Sequence, residues 1–160
     1  MSKGAVVKGS SLASMWARAS GLPGGRTLFS IILGRTARYT GSIGARIQTL
    51  EHGRAVVTMA DKAKVRNHLN SIHAIALINL GELATGAAVM YQVDGRGRGI
   101  LKGMSMEYTK KARGTITATC DFVVPEEPGK HDLEVDGILT DQSGDVVATA
   151  RATWRIEIFE

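Results

Sequence analysis

Read for its apolar and polar positions, the chain changes character several times. Leu12–Ala19 and Thr27–Arg38 have helical spacing, the second placing Leu28, Ile31, Ile32 and Arg35 on one stripe that would lie against the main body. From Ile43 the pattern becomes that of strands. Ala45–Leu50 and Arg54–Ala60 are joined across Glu51-His52-Gly53, the signature of a hairpin. Asp61–Ser71 is polar and leads into a run, about 72–90, so apolar that a helix built from it would be greasy on every side. Only Asn79, Glu82 and Thr85 interrupt it. Such a helix belongs in an interior.

After a turn at Asp94–Gly99, four more segments read as strands. Ile100–Thr109 alternates with Ile100, Met104, Met106 and Tyr108 on one side, and Thr115–Phe122 with Ile116, Ala118, Cys120 and Phe122. Beyond a loop bracketed by Pro125 and Pro128, Lys130–Asp141 alternates through Leu133, Val135, Gly137 and Leu139. Val146–Phe159 has the longest alternation, with Val146, Ala148, Ala150, Ala152, Trp154, Ile156 and Ile158 facing inward. Short connections and strict period two predict an antiparallel sheet of about six strands with one buried face. Its cover must be the apolar helix, since nothing else is apolar enough. A flat two-layer packing would leave that helix a polar stripe. The fold class is therefore α+β, a sheet wrapped around one central helix with helices before it. Residues 1–25, rich in Ser and Gly, read as a loosely attached N-terminal extension, and 26–160 as a single domain.

Glu82 is the residue this arrangement makes conspicuous, because a carboxylate inside an apolar helix is expensive unless it is paired, hydrogen-bonded or protonated. Asn79 and Thr85 are close enough in sequence to satisfy it, and a catalytic use stands beside that structural one. Asn67 and Ser71 precede the helix where such side chains cap free N–H groups. Met104 and Met106 read as core.

The stretch NHLNSIHAIALINLGELATG resembles the signature of hotdog-fold thioesterases of the phenylacetyl-CoA type. That pattern has an Asn, a few residues, Gly-Thr or Gly-Ser, a variable apolar residue, His-Gly-Gly, and then a helix with Asp or Glu nine positions after the His. Asn67, Asn70-Ser71, Ile72, His73, Ala74-Ile75 and Glu82 stand at those places. The strand order agrees, and the helical N-terminal part fits a thioesterase-like subfamily with such an extension. The resemblance implies hydrolysis of an acyl-CoA or acyl-carrier thioester, with coenzyme A arriving as substrate and no cofactor. It assigns Glu82 as general base or nucleophile, the Ala74 N–H as donor to the carbonyl oxygen, Asn67 as the group orienting water or carbonyl, and His73 to the shape of the turn. Ser71, Ile75, Asn79, Thr85 and Gly86 would line the substrate. Two departures favour an alternative, a non-catalytic hotdog protein binding an acyl thioester or fatty acid. Ile75 stands where the pattern has Gly, and Gly86 where a Thr or Ser often follows the acidic residue, with Thr85 one position short.

Ala74 and Glu82 are eight residues apart, about 12 Å along a helix, so one carbonyl cannot meet both within one chain. The resemblance accordingly implies a homodimer or homotetramer. A hotdog dehydratase lacks its paired His and acidic residues here. Charge adds little: the net +5 is scattered in small groups such as Lys62, Lys64 and Arg66, Arg96 and Arg98, and Lys110, Lys111 and Arg113. Nucleic acid is not expected as a partner, since the groups form no stripe and few aromatics interleave them. The lone Cys120 suits a reducing cytoplasm. No signal peptide is read in the first residues, and no membrane span, because Glu82 and Asn79 sit mid-helix.

Overall fold

A computed structural model describes residues 11–160. The elements are α1 (Leu12–Ser20), α2 (Gly25–Thr36), α3 (Arg38–Gly41), β1 (Arg46–Glu51), β2 (Arg54–Met59), a 3-10 turn (Ala63–Val65), α4 (Ala74–Val93), β3 (Gly97–Tyr108), β4 (Ile116–Asp121), β5 (Gly129–Thr140) and β6 (Val146–Ile158). The six strands form one antiparallel sheet in the order β1-β2-β4-β5-β6-β3. It curls around α4, which packs against all six. The hairpin is tighter than its sequence suggests: Glu51 pairs with Arg54, so His52 and Gly53 alone make the turn, with Gly53 at φ +80°.

The sheet's inner face is built from Ala55, Val57 and Met59 on β2, Ile116, Ala118 and Cys120 on β4, and Ala150, Ala152, Trp154 and Ile156 on β6, all buried. Small residues set how closely α4 approaches it. A Cβ at Gly81 would fall 2.6 Å from Ala150 Cβ, a group that cannot swing away. Gly81→Val is therefore expected to destabilise the fold by about 1–3 kcal/mol through overpacking, although leaving glycine raises helix propensity. Urea unfolding measures it, and a stabilised variant would show that α4 has room to shift. Burial on the inner face also pushes the Cys120 thiol up to about 12, helped by the charges of Asp121 and Asp136. Although α4 is long and apolar enough to cross a membrane, it is the core of this domain.

Three expected orientations differ in the structure, each next to an irregularity in the sheet. On β3 the register shifts between Leu101 and Gly103, so Lys102 is the extra residue. Leu101 therefore packs toward α4 along with Met104 and Met106, while Ile100 points out, 64% exposed. A second shift, opposite Leu139 and Thr140 of β5, makes Val147 the extra residue on β6; Val146 points outward and Val147 is buried. On α2 the inward residues are Phe29 and Ser30, leaving Leu28, Ile31 and Ile32 exposed. The reason is local: β1 has a bulge between Ile47 and Thr49, and the Ile47 N–H there donates to Ser30 Oγ at 2.9 Å. The Ser30 hydroxyl donates in turn to Arg26 O. This contact fixes the helix's rotation against the pull of its more apolar stripe.

Nor is α1 loose. Trp16 is buried with its ring edge-on to Phe29, centroids 5.1 Å apart, and the Ala13 N–H donates to Asp94 Oδ2 at 2.8 Å. The residues before Ser11 lie outside the described part of the chain, so the remainder of the expected extension is not described.

Candidate functional site

The approach to α4 is a tight turn held by Asn67. Its Oδ1 accepts from the N–H groups of Leu69 and Ser71 and from Ser71 Oγ, and its own N–H donates to Ser71 O. Asn70, within this turn, has φ +54°. Asn67 and Ser71 thus cap nothing on α4. The cap is His73, whose Nδ1 accepts the Ile75 N–H at 3.0 Å while its ring stays exposed. Among the described residues no acceptor meets the Ala74 N–H. Directly beside it, Tyr108 Oη donates to Ala74 O at 3.0 Å, tying β3 to the start of the helix. Burial holds the Tyr108 hydroxyl above its usual range.

Two turns on, Glu82 is partly buried, and desolvation raises its carboxyl above the usual carboxylate range. Neither neighbour expected to satisfy it does so. Asn79 Nδ2 donates to Tyr39 O at 3.2 Å, fastening α3 to α4. Thr85 Oγ1 donates to the Glu82 backbone carbonyl at 3.1 Å and accepts the Trp154 indole N–H at 3.3 Å. Among the described residues no side chain donates to the carboxylate. The Gly86 position is explained by Trp154: a Cβ there would lie 3.2 Å from the indole ring and 3.6 Å from Glu82 Oε1.

Glu82 stands where two cavities meet. One, of about 180 Å³, is almost wholly apolar and is lined by Leu12, Leu33, Leu50, Leu83, Met90 and Trp154. The other, of about 350 Å³, opens among Tyr39, Ile75, Ile78, Asn79, Leu101 and Met104. Thr40 and Glu82 line both. Of the residues expected to line a substrate, Ile75, Asn79 and Gly86 border these cavities; Ser71 and Thr85 are buried in structural hydrogen bonds and border neither. Asn67 and His73 also lie off the cavity walls. Sequence reasoning missed Tyr39, Thr40 and Leu12, which come from helices placed only by tertiary packing, and Trp154, which its alternation marked simply as core.

A family model described as "Domain of unknown function (DUF4442)" matches residues 25–156. The chain belongs to this family. No curated protein matches the DUF4442 chain. Solved structures do. A structural-genomics protein is 29% identical with a TM-score of 0.79, the match covering 92% of this chain and 98% of that one. A Pseudomonas aeruginosa protein described as a probable thioesterase is 26% identical with a TM-score of 0.72, over 86% and 97%. A mutant of a thioesterase from Staphylococcus aureus is 21% identical with a TM-score of 0.66, over 75% and 98%. The six-stranded sheet around α4 gives this DUF4442 chain the hotdog fold that such thioesterase-family structures share.

Proposed function

We propose that this chain is an acyl-CoA or acyl-carrier thioesterase whose site forms between two copies. The observation that carries the reading is Glu82: a carboxylate with no donor among the described side chains, held above its usual range by burial, at the meeting of two apolar cavities. A carboxyl so placed can take a proton from water as the water adds to a thioester carbonyl, or attack that carbon itself. In the first route the C–S bond breaks, the thiolate takes the proton held by Glu82 and the carboxylic acid is released; in the second the thiolate leaves an acyl-Glu82 anhydride, which water hydrolyses to the free acid and the restored carboxylate. The carbonyl oxygen needs a donor as its charge grows, and the free Ala74 N–H at the positive end of α4 supplies one. Coenzyme A enters as part of the substrate, and no cofactor takes part.

Because Ala74 and Glu82 are about 12 Å apart along α4, the Ala74 of one copy serves the Glu82 of another. The surface for this union is β3. It is one of the sheet's two edge strands, and unlike β1 its inner side supplies Leu101 and Met104 to the cavity that Ile75 and Glu82 both line; an unpaired edge is a template for another strand. A homodimer, or a dimer of dimers, follows, in a cytoplasmic setting. The description of the Pseudomonas aeruginosa protein as a probable thioesterase supports the same chemistry.

Ile75 favours a second reading, a hotdog protein that binds an acyl thioester or fatty acid without cleaving it. Its branched side chain, 51% exposed next to Ala74, takes up space in the cavity that it lines together with Glu82. A panel of acyl-CoA thioesters with free-thiol detection separates the two. Hydrolysis of at least one chain length is the expected result. Binding seen as a rise in Tm, with no thiol released, selects the second reading. Light scattering is expected to give a dimer or tetramer, and a monomer rules out the shared site.

A further inference from the structure

A third cavity lies on the other side of α2 and α3. It measures about 530 Å³, and Arg35, Arg38 and Arg46 line it together with Ser42 and Gly44. The Lys64 ammonium reaches its rim, donating to Ser42 O at 2.7 Å and lying 3.4 Å from where a Gly44 Cβ would be. Its lining contains no acidic residue. Among the described residues several single cations elsewhere, such as Arg96 and Arg113, also meet no carboxylate, but here three arginines share one concavity. On the exposed face of the sheet Arg54, Arg98, Lys102, Arg151 and Arg155 each meet a carboxylate. Arg66 and Lys110, from the basic groups conspicuous in the sequence, do so as well. Among the described residues no carboxylate meets Arg35, Arg38 or Arg46, and residues 1–10 contain none that could. Three guanidinium groups gathered in one concavity repel one another, and an anion of several charges relieves that repulsion.

The cavity is also adjacent to the site at Glu82. Ser30, Gly34, Gly41 and Ala45 line both it and a small void of about 20 Å³, and that void shares Leu33, Thr40, Ile47 and Leu83 with the apolar cavity beside Glu82. The partition is one backbone thick. At its middle the chains of α2 and α3 touch, so that a Cβ on Gly41 would fall 2.2 Å from Gly34 O.

We propose that the cleft of Arg35, Arg38 and Arg46 binds the phosphates of a coenzyme A-type nucleotide, the carrier end of the thioester, whose arm passes over Thr40 and Gly41 to Glu82. The assignment of this ligand rests on the thioesterase reading. Arginine suits it because its planar fork grips phosphate oxygens in pairs. The nucleotide is chosen over the phosphopantetheine of a carrier protein on charge. A phosphomonoester carries about −1.5 to −2 at neutral pH and the neighbouring diphosphate adds more, which matches a cleft of three or four cations. A single phosphodiester does not.

The test is isothermal titration of the whole chain with adenosine 3′,5′-bisphosphate, coenzyme A and 4′-phosphopantetheine. Wild type is compared with Arg35→Gln, Arg38→Gln and Arg46→Gln, and with Lys130→Gln on the outer sheet face as control. The first two ligands are expected to bind, about tenfold or more weakly for each arginine removed and unchanged for the control, with an affinity that falls as salt rises. The proposal is overturned if wild type binds neither nucleotide, if the three variants bind them as wild type does, or if phosphopantetheine binds as tightly as coenzyme A. Binding is read without turnover, so the two readings fail separately. Arginine-dependent nucleotide binding without hydrolysis keeps the cleft and removes the thioesterase, and hydrolysis with arginine-independent binding does the reverse.

Discussion

Glu82→Gln is expected to lower thioester hydrolysis by about 10²–10⁴-fold, the range for loss of a general base, while making the protein more resistant to heat at neutral pH. The second effect follows from the direction of the Glu82 shift. Burial raises the folded-state pKa above the ordinary value of 4.5, so between the two values the folded protein holds a proton that the unfolded chain releases. Stability from this group is therefore fully present below pH 4.5 and is lost as pH rises through the folded-state value. Glutamine has no charge to desolvate, so at pH 7 its Tm is expected to be higher by about 2 °C or more, and the advantage vanishes at acid pH. Kinetics with the preferred acyl-CoA and melting curves across pH 4–8 read both effects. A structural Glu82 would give the opposite outcome, activity and stability falling together.

Trp154→Ala is expected to cost about 3–5 kcal/mol, the range for truncating a buried aromatic to Ala and a large share of the roughly 5–15 kcal/mol that holds a domain together. Trp154 is 5% exposed, and its indole fills the space left by Gly86 on α4 and lies 3.6 Å from where a Gly99 Cβ would be. Its N–H reaches Thr85 Oγ1. Truncation leaves a void between helix and sheet where neither backbone has a side chain to fill it. Trp154→Phe keeps most of the packing and loses the hydrogen bond, for about 1 kcal/mol. In urea the midpoint for the alanine variant is expected to drop well below that for phenylalanine, with an unchanged slope. Near-equal midpoints would mean that the hydrogen bond, and not the ring, is what Gly86 makes room for.

How far the sequence speaks for the structure depends on the distance over which each feature is decided. The strands of β4 and β5 and most of β6 are legible in their alternation because one sheet face is buried along its length. The core helix is legible because it has no polar side. Glu82 stands out for the same reason, as the one carboxylate in that run. What alternation cannot register is a bulge, which puts the residues on its two sides out of phase: Ile100 and Val146, each ahead of a bulge, come out exposed, and Leu101 and Val147 turn inward. The α2 face is set by one hydrogen bond from Ile47 to Ser30, seventeen residues away. At the site the nine-residue step from His73 to Glu82 was visible, but Thr85 and Asn79 turn out to be occupied elsewhere, Thr85 by Trp154 and Asn79 by Tyr39. Those partners arrive from other elements, and no local pattern announces them.

The docking of α1 separates two things that a single helix could have held together. Leu12 lines the apolar cavity at Glu82, and α1 is fastened through Ala13 to Asp94 and through Trp16 to Phe29, before the segment that the family model spans. Part of the cavity's lining and the carboxylate thus belong to different stretches of chain. Exchanging α1 reshapes the space beside Glu82 and leaves α4 untouched, so under the proposed thioesterase activity the length of tail admitted is free to change while the carboxylate stays where it is.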